Sequence, residues 1–175
     1  ENVLYIRLGK GISSGAVFKG EIHIGSTGTG GELGHTVVMP DGPLCYCGNY
    51  GCLESIAAPL YIEREVKSAI KGGVQTEAGS NGDVTMNTII NAAENGDRLT
   101  SNVIQKAGEY IGRSAANLCN VLAPGAVIIG SEYIEEGGVF FRVIEQTFRS
   151  NVMDKYSDCA VLPGILKNNA ALIGA

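Results

Sequence analysis

His35, Cys45, Cys47 and Cys52 stand in the pattern H-x9-C-x-C-x4-C. Imidazole and thiolate are the ligands zinc favours in tetrahedral sites, and three thiolates with one neutral imidazole fill its shell. No position is left for a reactive water, so a zinc ion held here is structural rather than hydrolytic. It would fold an otherwise unstable loop and hold His35 in one orientation. Cys-x-Cys is tighter than the common Cys-x2-Cys, but Gly48 and Gly51 relieve the bend needed to present both sulfurs. The alternative is three free cysteines beside an unrelated histidine, with a Cys45–Cys52 disulfide as a minor form of it. Cys119 and Cys159 read as buried, inert thiols. His23 reads as structural or exposed, and the acidic run from Glu132 to Glu136 as a helix-start charge cluster.

The elements that position these residues follow from periodicity. Residues 2–24 read as a short β meander: a strand over 3–8, a glycine turn from Gly9 to Gly15, then 16–18 turning at Lys19-Gly20 into 21–24. Residues 25–31 are loop, and 35–52, with Pro40, Pro43 and three glycines near the cysteines, form a structured loop. A short helix is expected near 53–57. A second starts at Pro59, carries the apolar stripe Ile62, Val66, Ala69 and Ile70, and ends at Gly72-Gly73. After a polar loop over 74–83, Met86, Ile89, Ile90 and Ala93 mark a helix ended by Gly96. A long helix follows over about 99–122, stopped by Pro124-Gly125. Residues 126–130 are a continuous apolar run that suggests a buried parallel strand. A helix near 137–149 and a strand near 159–162 come next, and 170–175 look like the start of another helix. Strands followed by alternating helix and strand predict an α/β lobe.

Composition narrows the function classes. The 175 residues are 45% hydrophobic and 18% charged, which excludes disorder and supplies one core. Thirteen basic residues against 18 acidic give a net charge of −5, with Lys and Arg scattered singly. This chain alone therefore lacks the basic stripe of a nucleic-acid binder. It has no run of apolar residues long enough to span a membrane and no basic-then-apolar leader. Clustered cysteines without such a leader point to metal and a reducing, cytoplasmic compartment. Because it begins at Glu1, the chain is expected to be a fragment.

Gly31-Glu32-Leu33-Gly34-His35, followed by Cys45-Tyr46-Cys47-Gly48-Asn49-Tyr50-Gly51-Cys52-Leu53-Glu54, resembles the signature of the ROK family of bacterial sugar kinases and sugar-responsive repressors. The resemblance implies an actin-like ATPase (ribonuclease H-like) fold of two lobes with sugar in the cleft, this chain being a single C-terminal lobe over 1–175. It implies that Glu32, His35 and Glu54 contact sugar hydroxyls. On residue type alone the two carboxylates read as solvated surface or helix-start groups. It also implies that Gly9, Gly11 and Gly130 lie at nucleotide positions. Family kinases read roughly Gly-Thr-Gly-Ile-Gly-x-Gly where this chain has Gly9-Lys10-Gly11-Ile12-Ser13-Ser14-Gly15, and often Gly-Gly where it has Gly130-Ser131. The stretch at Gly9 reads equally as a plain hairpin turn. The family's Asp-x-Gly-x-Thr loop is absent, and none of Asp41, Asp83, Asp97, Asp154 or Asp158 follows an asparagine, as the family's catalytic base does. The expectation is a sugar- or amino-sugar-sensing repressor domain with structural zinc. Operator DNA would be bound through a domain outside this chain, and homo-oligomers are usual in the family. The alternative is a lobe of a sugar kinase using ATP and Mg2+, inactive by itself.

Overall fold

A computed structural model describes residues 2–80 and 82–166. The expected final helix at 170–175 lies outside the described residues. The described residues form a five-stranded sheet in the order β3-β2-β1-β4-β5, with β1 at Val3–Leu8, β2 at Ile12–Phe18, β3 at Glu21–Ile22, β4 at Ala126–Gly130 and β5 at Ala160–Pro163. β1, β2 and β3 pair antiparallel, and β1, β4 and β5 pair parallel. In register, Leu4 faces Ala16 on one side and Val127 on the other; Ile6 faces Ser14 and Ile129.

The alternation along β1 sets which face is covered. Leu4, Ile6 and Leu8 are buried, whereas Val3 and Tyr5 are half-buried and Arg7 is exposed. β4 follows the same rule, with Val127 and Ile129 buried and Ile128 only partly so. The strand is parallel as expected, but it is fully covered on one face rather than two.

The helices are α1 (Leu53–Ala57), α2 (Pro59–Lys71), α3 (Met86–Glu94), α4 (Arg98–Leu122) and α5 (Val139–Asn151). Pro59 opens α2 at a position where its missing N–H costs nothing. Thr85 and Thr88 cap α3 reciprocally, and the Asp97 side chain accepts the Thr100 amide at the start of α4. α4 and α5 pack closely because Gly108 and Gly112 carry no Cβ; one at Gly108 would press on Val143 and one at Gly112 on the Ile144 carbonyl. Cys119 and Cys159 are buried as expected, and burial pushes the Cys119 thiol up to about 12.

Three boundaries differ from expectation, each for a local reason. The turn after β1 is only Gly9–Gly11, because antiparallel pairing with Leu8 already begins at Ile12. β3 is two residues long, pairing only through Glu21 and Ile22. α5 starts at Val139 rather than 137, since Gly137 has a left-handed φ of 74° that no α-helix accommodates. Short 3-10 turns at Leu33–His35, Glu77–Gly79 and Asp154–Tyr156 sit in segments read as loops or left unassigned.

Candidate functional site

The 3-10 turn Leu33–His35 is pressed onto β2, and two glycines, Gly31 before it and Gly34 within it, explain how. Gly31 has φ +100°, and its carbonyl accepts the Ser14 amide at 2.7 Å. A Cβ at Gly31 would overlap the Ser14 carbonyl, and one at Gly34 would overlap the Ile12 carbonyl. Only glycine permits this approach. The result is that Glu32 and His35, three residues apart, share one face of the turn, with Glu32 Oε2 3.8 Å from His35 Nε2.

The cysteine loop closes back on this turn. Leu53 N donates to Thr36 O at 2.9 Å, and Val38 N to Gly51 O at 2.9 Å. At its tip, Cys45 N donates to Asn49 O at 2.8 Å and Gly48 N to Cys45 O at 3.0 Å. Gly48 and Gly51 have φ of +95° and +68°, as the sequence reading of the bend requires. The ligand atoms of His35, Cys45, Cys47 and Cys52 all lie within 4.8 Å of one another and could hold a metal ion. Cys45 Sγ is 3.6 Å from His35 Nδ1, and Cys47 Sγ is 3.6 Å from Cys52 Sγ. Nδ1 therefore faces the sulfurs and Nε2 faces outward. The thiols differ in character. A hydrogen bond from the Asn49 backbone, with others from neighbouring cysteines, lowers exposed Cys47 to about 7, whereas burial pushes Cys52 up to about 12.

Glu54 is the third expected contact, and it is not a solvated surface group. It lies in the first turn of α1, 7% exposed, in a helix whose every residue is buried. Its Oε2 accepts the Ile12 amide at 2.8 Å. The carboxylate fills the space beside Gly11, where a Cβ would overlap it, and lies 3.2 Å from where a Gly34 Cβ would be. Among the described residues Glu54 has no ion-pair partner. Glu32, His35 and Glu54 thus gather around Gly34.

The nucleotide-position glycines separate. Gly9 and Gly11 line a cavity of about 700 Å3 with Arg7, Lys10, Glu63 and Glu132, at the carboxyl ends of β1 and β4. Gly9 N donates to Gly11 O at 2.9 Å, closing the turn on itself. Gly130 is buried on β4, and the Tyr5 phenol occupies the place where its Cβ would stand. A side chain at this position would have to displace the Tyr5 ring. His23 is exposed, with its ring edge-on to Phe18.

Two contacts were not read from the sequence. Tyr46 Oη lies 2.8 Å from His35 Nε2 with the rings edge-on at 5.0 Å, and the Ile12 amide sits on Glu54. The only sequence signal for the first is that Tyr46 sits between two ligand positions; the second joins residues 42 apart and leaves none.

A family model described as "ROK family" matches residues 1–175. The chain is 36% identical over 156 residues to the DNA-binding transcriptional dual regulator NagC of Escherichia coli (strain K12), covering 89% of this chain and 38% of that protein. It is 31% identical over 180 residues to a glucokinase of Halalkalibacterium halodurans, covering 99% of this chain and 54% of that one. The structure of a ROK family glucokinase from Streptomyces griseus in complex with glucose and AMPPNP superposes with a TM-score of 0.85 at 28% identity, covering 99% of this chain and 58% of that one. The chain thus spans about half the length, or less, of the relatives it matches. No helix among the described residues is long and apolar enough to cross a membrane.

Proposed function

The chain belongs to the ROK family, and on that premise we propose that it is the C-terminal, sugar-sensing lobe of a ROK-type transcriptional repressor. Glu32, His35 and Glu54 contact the sugar. A carboxylate accepts from two neighbouring hydroxyls, and Glu54 is desolvated, unpaired by any cation among the described residues and held in place by the Ile12 amide. Zinc suits the cluster beside it. Bonds of about 2.3 Å to sulfur and about 2.0–2.1 Å to nitrogen give tetrahedral edges of about 3.8 Å between sulfurs and about 3.6 Å from nitrogen to sulfur. The 3.6 Å separations at Cys47–Cys52 and Cys45–His35 match those edges. The ion supplies a closed four-ligand crosslink. The protein's own residues do the recognition: His35 keeps Nε2 for hydrogen bonding while Nδ1 faces the thiolates.

The observation that favours a sensor over a kinase is the state of the β1–β2 turn. A phosphate cradle needs free backbone amides. Here the Gly9 amide is bonded to Gly11 O and the Ile12 amide to Glu54, which also places a carboxylate against Gly11. Lys10 and Ser13 further depart from the glycine- and threonine-rich pattern of family kinases. In this reading sugar binds one arrangement of the complete protein better than another and so changes its affinity for operator DNA, held by a domain outside this chain. The protein acts as a homo-oligomer.

The second reading is a lobe of an ATP-dependent sugar kinase, favoured by the glucokinase similarity over 99% of the chain. Nucleotide would then occupy the cavity lined by Gly9, Gly11 and Lys10, and the catalytic base and remaining phosphate loop would lie outside this chain. Assaying the complete, zinc-loaded protein with a panel of hexoses, amino sugars and pentoses separates the two. Saturable sugar binding without ATP-dependent turnover is expected; turnover with any sugar overturns the sensor reading.

A further inference from the structure

We infer that the Tyr46 hydroxyl is a built-in occupant of the position a sugar hydroxyl takes on His35, so that Tyr46 sets ligand affinity by competition. The inference rests on the reading of His35 as a sugar contact. His35 Nδ1 faces Cys45 Sγ at 3.6 Å and is committed to the cysteine cluster. A neutral imidazole engaged at Nδ1 carries its single proton on Nε2, and that N–H points one way. With a metal ion on Nδ1 it would point at Tyr46 Oη, 2.8 Å distant, and the phenol oxygen would accept it. Glu32 Oε2, at 3.8 Å, is too far to share it. A sugar hydroxyl can take the Nε2 proton only after the phenol leaves.

The phenol is held by its contact with His35 rather than by burial. Tyr46 is 75% exposed, so its side chain can swing into solvent without opening the core. Its backbone, by contrast, is fixed between Cys45 and Cys47 by the hydrogen bonds at the loop tip. The ring therefore returns to one place. An uncharged hydroxyl on a mobile, surface-exposed arm is exchanged for another hydroxyl on the ligand, and the cost of that exchange falls on affinity. A net hydrogen bond of about 1 kcal/mol corresponds to about five-fold.

The test is Tyr46→Phe in the complete, zinc-loaded protein, titrated calorimetrically with D-glucose and N-acetyl-D-glucosamine. About three- to five-fold tighter binding of whichever probe the wild type binds, with zinc content unchanged, is the expected result. Tyr46→Ala should tighten binding in the same direction. The His35 Nε2–H proton, followed by 15N NMR without sugar, should exchange with water faster in Tyr46→Phe than in wild type. A monodeoxy probe lacking the hydroxyl that meets His35 should show no tightening. If the wild type binds sugar and Tyr46→Phe binds equally or more weakly, the inference is overturned while the sugar reading stands. If the wild type binds neither of these probes nor any hexose, amino sugar or pentose of the panel above, the sugar reading itself falls and takes the inference with it.

Discussion

Gly34→Ala places a methyl group where β2 and the Leu33–His35 turn touch. The new Cβ would overlap the Ile12 carbonyl oxygen, approach its carbon at 3.1 Å and reach Glu54 Oε2 at 3.2 Å, against ordinary contacts of 3.4–4 Å. Two of these neighbours are backbone of a paired strand, and the third is a carboxylate tied to the Ile12 amide. None can retreat cheaply, so the turn itself must lift away. Overpacking of this kind costs about 1–3 kcal/mol. In a domain of this size each kcal/mol lowers the melting midpoint by roughly 2–4 °C, so a 2 kcal/mol loss is a fall of about 4–8 °C. The lift also moves Glu32 and His35 relative to Glu54. Losing one hydrogen bond to a charged group, at about 1.5–3 kcal/mol, weakens sugar binding at least about ten-fold. Thermal unfolding and calorimetric titration of the complete protein read both effects. Gly15→Ala is the control: nothing lies within 4 Å of its Cβ position, and the change should be neutral or slightly stabilising. A Gly34→Ala protein that melts and binds sugar like the wild type would refute the close approach of turn, strand and Glu54.

Further outcomes follow from the same geometry. Glu54→Gln keeps an oxygen for the Ile12 amide and should fold normally, yet lose at least about ten-fold in sugar affinity by calorimetry, because the charged acceptor is gone. Cys47→Ser should lower zinc content by elemental analysis and weaken sugar binding together, because His35 is tethered to the same cluster; zinc loss with unchanged sugar affinity would refute that link. Asp97 supplies a pH test. Burial raises its carboxyl, but hydrogen bonds from the Thr100 and Glu77 amides and the Thr100 and Thr76 hydroxyls outweigh it and hold the group below the ordinary carboxylate value. Its stabilising contribution is therefore present above the unfolded value of about pH 4 and is lost as pH falls through the lower folded value. Asp97→Asn should still cap α4, and its deficit in denaturant midpoint relative to wild type should shrink toward zero as pH falls below about 4.

What could be read in advance was what repeats or clusters locally. The stripe of Ile62, Val66 and Ile70, the Pro59 start and the Pro124 stop placed α2 and the end of α4 within a residue or two. The four ligand positions lie within 18 residues of chain, and their types alone suggested a metal. The starts of β2 and α5 were less legible. Ser13 and Ser14 carry no strand signal of their own and are extended only because β1 pairs with them. Glu54 was misjudged without the family resemblance, because its burial is decided by β2 and the 3-10 turn, both distant in sequence. Its neighbours gave a hint: Leu53, Ile56, Ala57 and Ala58 leave no polar face for so short a helix to turn toward solvent.

On the proposed reading the cluster and the sugar contacts are one structural unit, because two of the candidate ligands end the elements that bear those contacts. His35 is the last residue of the turn whose face carries Glu32, and Cys52 is the N-cap of the helix whose first turn carries Glu54. Outside the cluster, the segments that follow the turn and precede the helix are joined in the backbone by the Leu53–Thr36 and Val38–Gly51 bonds, each 2.9 Å. A metal crosslink between His35 and Cys52 would add to these bonds and hold the spacing of Glu32 and Glu54 across Gly34. The same helix carries the Glu54 bond to Ile12 and so reaches the turn that lines the 700 Å3 cavity. On the proposed reading a sugar drawing on Glu54 would alter that bond, and its occupancy would be felt at the adjoining turn Gly9–Gly11. Such coupling would give the lobe a route from ligand to distant surface without a phosphoryl group passing through the cavity, as the proposed sensor requires.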